Sequence, residues 1–232
     1  MRIVIYSDSV ARARPDLDEQ NRTYYDETHG VLLRKKIVPD HEVDIVHIES
    51  LDSSDGEQQV NPYISFKNPD IVIFQIGIND CAPRVFKKNS FLAKLIYENK
   101  IFEKMTLNIF PRLINKYRYE ITKIFKSSYV DIDSFERNYI NMIKNIELIN
   151  PNCKFYAISI LNSSEKLSKK SFGIQQNIEQ YNKRLKFLFK GNYIDINEIQ
   201  FNNIFINDGV HVTKEMHKLI FNKVYNQIKG QL

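Results

Sequence analysis

Cysteine is scarce in this 232-residue chain, with Cys81 and Cys153 the only two. Two thiols make no disulfide framework, which excludes the small stapled scaffolds and points to a reducing compartment. Glycine and proline are also few, seven of each, and no low-complexity tract or internal repeat is visible. No apolar run is long enough to cross a bilayer. Residues 1–8 read as a strand, which leaves no room for a signal peptide, so the expected location is cytoplasmic. What remains is globular: 43% of residues are hydrophobic against 26% charged. The length suits one large α/β domain over residues 1–232, able to bury a core without metal or disulfide.

Negative charge is scarce in one stretch in particular. The chain carries 33 Lys/Arg and 28 Asp/Glu, a net +5. Residues 86–126 hold ten Lys/Arg and three Glu, a local +7, which leaves about −2 for the rest. Such a segment can face anionic lipid, an acidic substrate or nucleic acid. Its basic residues do not alternate with aromatics in a nucleic-acid motif, so no nucleic-acid partner is expected. Its apolar stripes, Leu92-Leu95-Ile96-Phe102-Met105-Ile109 and Leu113-Ile114-Tyr117-Ile121-Ile124, predict two helices broken at Pro111. Those stripes suit packing against the protein, a homo-oligomer contact, or peripheral contact with the inner face of the membrane.

Five short segments rich in Ile and Val predict a parallel sheet covered on both faces: Arg2–Tyr6, Val43–Ile48, Asp70–Ile76, Lys154–Ile160 and Tyr193–Ile196. Helical patterns between them give the βα rhythm of a doubly wound layer. A first helix is expected from Ser9 or Val10, disturbed by Pro15, with the pattern resuming over Tyr25–Lys36. The spacing Asp133-Ser134-Phe135-Glu136 reads as a capping box opening a helix through Ile149. Further helices are expected over Gly173–Phe189 and from Thr213. Together the helices at about 86–150 form an insertion after strand three.

Three polar clusters fall where loops should leave the C-terminal ends of such strands, the usual place for ligands in an open parallel sheet. Ser9 follows strand one. Read alone it is an N-cap serine, and Asp8 is an equal candidate for the cap. With a base it becomes a nucleophile whose oxyanion the helix-start N–H groups can hold. His211 is the candidate base, since Asp208 can fold back through Gly209 to hold one ring nitrogen and leave the other for Ser9. Read alone, that stretch is an Asp-Gly turn before a surface histidine. Gly77-Ile78-Asn79-Asp80 follows strand three; Asn79 can offer a carboxamide N–H to an oxyanion, and Asp80 can tie loops together. His217 reads as solvated or partly packed. His29, His41 and His47 lack metal-ligand spacing, so neither metal nor cofactor is expected, and Cys81 reads as a buried, inert thiol.

With Ser7-Asp8-Ser9-Val10, Gly77-Ile78-Asn79-Asp80 and Asp208-Gly209-Val210-His211 as its blocks, the sequence resembles the SGNH hydrolases, the GDSL-like esterase and acyltransferase superfamily. The resemblance implies a flavodoxin-like three-layer αβα fold with a central five-stranded parallel sheet. It implies Ser9, Asp208 and His211 as a catalytic triad, with Ser9 and Asn79 as oxyanion donors. Two departures stand out: Ser7 replaces the leading glycine of the first block, and no clean second block supplies a further oxyanion N–H. Ser53, Ser54 and Gly56, all in the loop expected after strand two, are candidates for that donor, with Gly56 chosen among them. The strings Ser9–Pro15 and Gly77–Arg84 resemble an SGNH branch linked to bacterial surface-glycan synthesis, which implies an acylated carbohydrate or glycolipid substrate. Arg12, Arg14 and Arg84 are candidate substrate-binding residues, each a guanidinium able to grip a carboxylate or phosphate; read alone, each is a surface charge or salt bridge. The alternative reading is a catalytically inactive glycan-binding or structural protein of a surface-polysaccharide pathway.

Overall fold

The computed structural model describes residues 1–85, 109–125 and 127–232. Its centre is a parallel sheet of five strands: β1 Arg2–Ser7, β2 Glu42–His47, β3 Ile71–Gln75, β4 Lys154–Ile158 and β5 Tyr193–Ile194. They lie in the order β2-β1-β3-β4-β5, the flavodoxin-like arrangement, whose order reverses between β1 and β3. Ser7 pairs with Gln75 across that seam. The two loops that leave the seam therefore begin side by side, one carrying Ser9 and the other Asn79.

Alternation along the strands builds two cores. Ile3 and Ile5 of β1, with Ile71 and Ile73 of β3, pack under α1 (His29–Ile37) and a C-terminal helix, Lys214–Ile228, through Leu33, Met216 and Ile220. Val4, Tyr6, Val72 and Phe74 point the other way, against α2 (Ser53–Tyr63) and the helices Ile132–Glu147 and Ile174–Phe189. Near-continuous apolar strands follow from this, since every side chain of β3 is buried on one face or the other. The three-layer αβα fold expected from the sequence is the one the chain has.

Several local expectations shift. Ser9–Ala11 forms only a single 3₁₀ turn, and α1 starts at His29. Ser53–Tyr63 is a helix rather than a loop, because the Asp52 carboxylate caps it by accepting from the Ser54 and Asp55 N–H groups. After α3 (Ile78–Cys81), helix α4 runs over Ile109–Phe125 without a break at Pro111. The first of the two helices expected around Pro111 falls mostly outside the described residues.

Helix α5, Ile132–Glu147, is capped by Asp131 rather than Asp133, the carboxylate accepting from the Ser134 N–H. It buries Phe135, Tyr139, Met142 and Ile146 in the sheet's core, so this part of the expected insertion is one of the covering helices. The remaining α-helices among the described residues are α6 (Glu165–Lys170), α7 (Ile174–Phe189) and α8 (Lys214–Ile228). Among the described residues no helix is long and apolar enough to cross a membrane.

Candidate active site

The turn after β1 needs no glycine. Ser7 is the last residue of the strand, and the chain bends at Asp8 with φ −85° and ψ −166°, ordinary extended backbone. Ser7 instead spends its side chain on the ring Nδ1 of His47, 2.5 Å away. The buried Asp8 carboxylate accepts from the Val10 N–H at 2.9 Å and from the Gly77 N–H, clamping the Ser9 turn to the loop after β3. Burial outweighs those two bonds and pushes the Asp8 carboxyl up to about 7. Ser9 opens the 3₁₀ turn, so its own N–H has no acceptor within that turn.

The second element is a small hairpin before α8. Phe205 and Val212 form an antiparallel bridge, and Gly209 takes φ +78° at its tip. A side chain there would be strained and would meet the Ser164 hydroxyl at 2.6 Å. Ser164 uses that hydroxyl to donate to the Gly209 carbonyl at 2.6 Å, and Lys166 donates to the Asn207 carbonyl. Asp208 accepts from the Val210 and His211 N–H groups at 2.7 and 2.9 Å and from the His211 ring Nδ1 at 2.5 Å. Burial alone raises the Asp208 carboxyl, but these bonds outweigh it and hold it at about 2. The ring's other nitrogen, Nε2, lies 3.2 Å from Ser9 Oγ. With the proton on Nδ1 directed at Asp208, Nε2 presents its lone pair to the serine hydroxyl.

Asn79 sits on α3 beyond Gly77. Its Nδ2 donates to the Leu51 carbonyl at 3.0 Å, while Arg84 Nη2 donates to its Oδ1 at 3.2 Å. A carboxamide has two N–H bonds, so one remains to be offered after this anchoring. Asp80 ties the loops as expected: it is fully buried and accepts from the Ser53 N–H at 2.9 Å, and its carbonyl accepts from the Tyr129 N–H. Burial drives its carboxyl up to about 8 despite the bonds from Ser53, with the carboxylates of Asp52 and Asp8 adding to the rise.

Gly56 is a correction. Its N–H donates to the Asp52 carbonyl inside α2 at 2.9 Å, and its α-carbon faces Met142, Ile76 and Tyr6 in the core. The Ser53 and Ser54 N–H groups are bonded to the carboxylates of Asp80 and Asp52. None of the three is placed to hold an oxyanion, because the stretch is a capped helix rather than an open loop.

The three arginines part company. Arg12 is exposed and paired with Glu49. Arg84 lies over the Tyr129 ring, 4.9 Å from its centroid, and grips Asn79. Arg14 reaches His211 itself, Nη2 lying 2.5 Å from the ring Nε2. That contact had no signal in the sequence, because it depends on how residues 12–24 fold back. Nor did the buried histidine group behind the site. His29 and His217 meet Nδ1 to Nδ1 at 2.8 Å, and His217 is buried rather than solvated. Cys81 is buried and its thiol is held well above the ordinary value by burial. Among the described residues no three His, Cys, Asp or Glu side chains group as metal ligands do.

No family model matches the chain, and no curated relative does. Solved structures do resemble it over nearly its full length. A lipase/acylhydrolase from Enterococcus faecalis superposes with TM-score 0.66 at 16% identity, covering 100% of this chain and 96% of that one. An acetyl esterase solved with acetate ion gives 0.62 at 14% identity, covering 99% and 97%. Axe2, an acetylxylan esterase from Geobacillus stearothermophilus, gives 0.60 at 13%, covering 98% and 93%. The chain has the fold of these esterases.

Proposed function

We propose that the protein is an SGNH-type serine enzyme that cleaves or transfers an acyl group carried as an ester on a carbohydrate or glycolipid. The observation that carries this reading is the Asp208–His211–Ser9 relay, with distances of 2.5 and 3.2 Å. His211 Nε2 takes the proton as Ser9 Oγ attacks the ester carbonyl, and Asp208 holds the tautomer and stabilises the imidazolium. The oxyanion of the tetrahedral intermediate accepts from the Ser9 N–H and the free Asn79 N–H. As the intermediate collapses, His211 returns the proton to the departing alkoxide, leaving the acyl group on Ser9. Water then gives hydrolysis, and a sugar hydroxyl gives transfer.

An apolar crevice beside the triad is lined by residues including Val10, Ile78, Leu161, Phe205 and Val210. Carbohydrate as the carrier is supported by the surface-glycan resemblance of the Ser9–Pro15 and Gly77–Arg84 strings. The similarity in fold to Axe2, an acetylxylan esterase, points the same way. The reading extends to a cytoplasmic protein working at the inner face of the membrane. Residues 86–126 would make that contact, and a homo-oligomer is compatible with it. Helix α4 exposes Leu113, Tyr117, Ile124 and Phe125, alongside Lys116 and Lys123. Co-sedimentation with anionic vesicles tests the contact; no binding at low salt would remove it.

One observation favours the non-catalytic alternative: the N–H groups of Ser53, Ser54 and Gly56 are all taken, leaving no second-block oxyanion donor among them. Hydrolysis of 4-nitrophenyl acetate and acetylated xylo-oligosaccharides by the wild type and Ser9→Ala separates the two. Equal rates would leave only the binding protein.

A further inference from the structure

Arg14 is built into the site from both sides. Its backbone pairs with Thr23, N–H to carbonyl in both directions at 2.8 and 3.2 Å, so the excursion after Ser9 closes as a loop around it. Asn21, itself buried, accepts from the Asn207 N–H and pins that loop to the hairpin carrying His211. The guanidinium held there has no carboxylate partner among the described residues. Its Nε is buried with no hydrogen-bond partner, and its Nη2 rests on the His211 Nε2 lone pair. Arg12, two residues earlier, has its carboxylate in Glu49. A half-buried cation left with only an imidazole lone pair is under-satisfied, since a guanidinium is matched by the paired oxygens of a carboxylate or phosphate.

The position also matters for the chemistry. Arg14 and the Ser9 hydroxyl address one lone pair, and a single lone pair takes one strong hydrogen bond at a time. Arg14 on that lone pair slows transfer of the serine proton to His211, and turning to another acceptor frees it. We infer that Arg14 reads a negatively charged group on the substrate, a carboxylate or phosphate close to the scissile ester, and that this group draws the guanidinium off His211. The site is then specific for an anionic ester. This rests on the serine mechanism proposed above for its catalytic consequence, but not for the anion contact.

Matched ester pairs test it. 4-Nitrophenyl hemisuccinate against 4-nitrophenyl butyrate puts the charge on the acyl side; 4-acetoxybenzoate against phenyl acetate puts it on the alcohol side. The wild type is expected to favour one of the charged esters by roughly tenfold or more in kcat/KM, the scale of a charge-assisted hydrogen bond. Arg14→Gln is expected to abolish that preference, with Arg14→Lys restoring part of it. The favoured pair tells which side of the ester carries the charge. No preference in the wild type, or one that Arg14→Gln keeps, overturns the inference. A second arm needs no turnover: calorimetric titration of succinate and of inorganic phosphate into Ser9→Ala, and into Ser9→Ala with Arg14→Gln. Weaker anion binding in the double variant supports the site, and equal binding overturns it. If Ser9→Ala still hydrolyses neutral esters at the wild-type rate, the serine mechanism falls while this arm still decides the anion contact. The Arg14–Thr23 pairing is made by backbone, so the substitutions leave it in place.

Discussion

Ser9 Oγ and His211 Nε2 stand 3.2 Å apart although 202 residues separate them in the chain. The approach is made by two short loops, the 3₁₀ turn after β1 and the hairpin before α8, each braced by a carboxylate that accepts backbone N–H groups. Asp8 braces the first and Asp208 the second. Ser9→Ala is expected to lower kcat by roughly 10⁴-fold, with His211→Gln and Asp208→Asn falling comparably because each disables the same relay. Steady-state kinetics on 4-nitrophenyl acetate check this. Losses that multiply in the double variants, rather than saturating, would contradict a shared relay.

Arg84 is expected to act through Asn79. On the mechanism proposed above, Asn79→Ala would remove a donor to the oxyanion and should lower kcat by about 10²–10³-fold with little change in KM. Arg84→Met leaves the amide but frees its Oδ1, so a smaller loss, also in kcat, is expected. Adding Arg84→Met to Asn79→Ala should then cost nothing more. Full additivity in that cycle would show that Arg84 works elsewhere.

Gly77 turns the chain out of β3 with φ +150°, and a β-carbon there would lie 2.6 Å from Ile160 Cδ1. Both the backbone conformation and the contact penalise any side chain. Gly77→Ala is expected to cost about 1–3 kcal/mol of stability and to lower activity, since Asn79 sits on the helix that starts there. Chemical denaturation alongside kinetics checks it; an unchanged denaturation midpoint would refute the close approach.

The buried ionisable groups predict two opposed pH dependences. Asp80 has a carboxyl raised to about 8 in the fold, chiefly by burial, so the folded protein holds a proton that the unfolded chain releases near pH 4. Its contribution is complete below pH 4 and is lost as pH rises towards 8. Asp80→Asn keeps the acceptor for the Ser53 N–H. Its stability relative to wild type should therefore climb by about 1.4 kcal/mol per pH unit across that window and level off above it.

The histidines run the other way. Burial, with Arg12 adding, lowers His47 to about 4; burial, with His47 and His211 adding, lowers His217 to about 3. His29, beside His217, is lowered well below its ordinary value for the same first reason. The unfolded chain binds protons at these sites below about pH 6.5, where the fold does not. Their contribution is whole above pH 6.5 and is lost on acidification to 4 or 3. His47→Asn should shed one proton's share of that acid sensitivity. Because Asp8 and Asp80 offset only two of the three histidines between pH 4 and 6.5, the wild type is expected to gain stability there as pH rises, by one proton's share. Urea midpoints across the range decide both expectations.

Much of the fold was legible because its signals are local. The five Ile- and Val-rich segments, such as Arg2–Tyr6 and Lys154–Ile160, are strands within a few residues of their expected ends, since a strand buried on both faces must be apolar throughout. The helices Ile174–Phe189 and Lys214–Ile228 likewise begin within a residue of the expected positions. The stretch after strand two misled, because Ser53, Ser54 and Gly56 have loop-forming side chains. Asp52 instead caps a helix there, and Asp80 reaches in from β3's far end to take the Ser53 N–H.

Composition and periodicity, then, were enough for the layers, the strands and the three polar clusters, because each depends on neighbours along the chain. The contacts between clusters depend on neighbours in space. Folding brought His211 to Ser9, committed the Gly56 N–H to α2, and showed that Ser7 stays within the strand while the bend falls at Asp8. It also set Arg14 on the Nε2 lone pair of His211 and buried His29 and His217 behind the site. Those outcomes follow from loop closure and burial, which no spacing of residue types encodes.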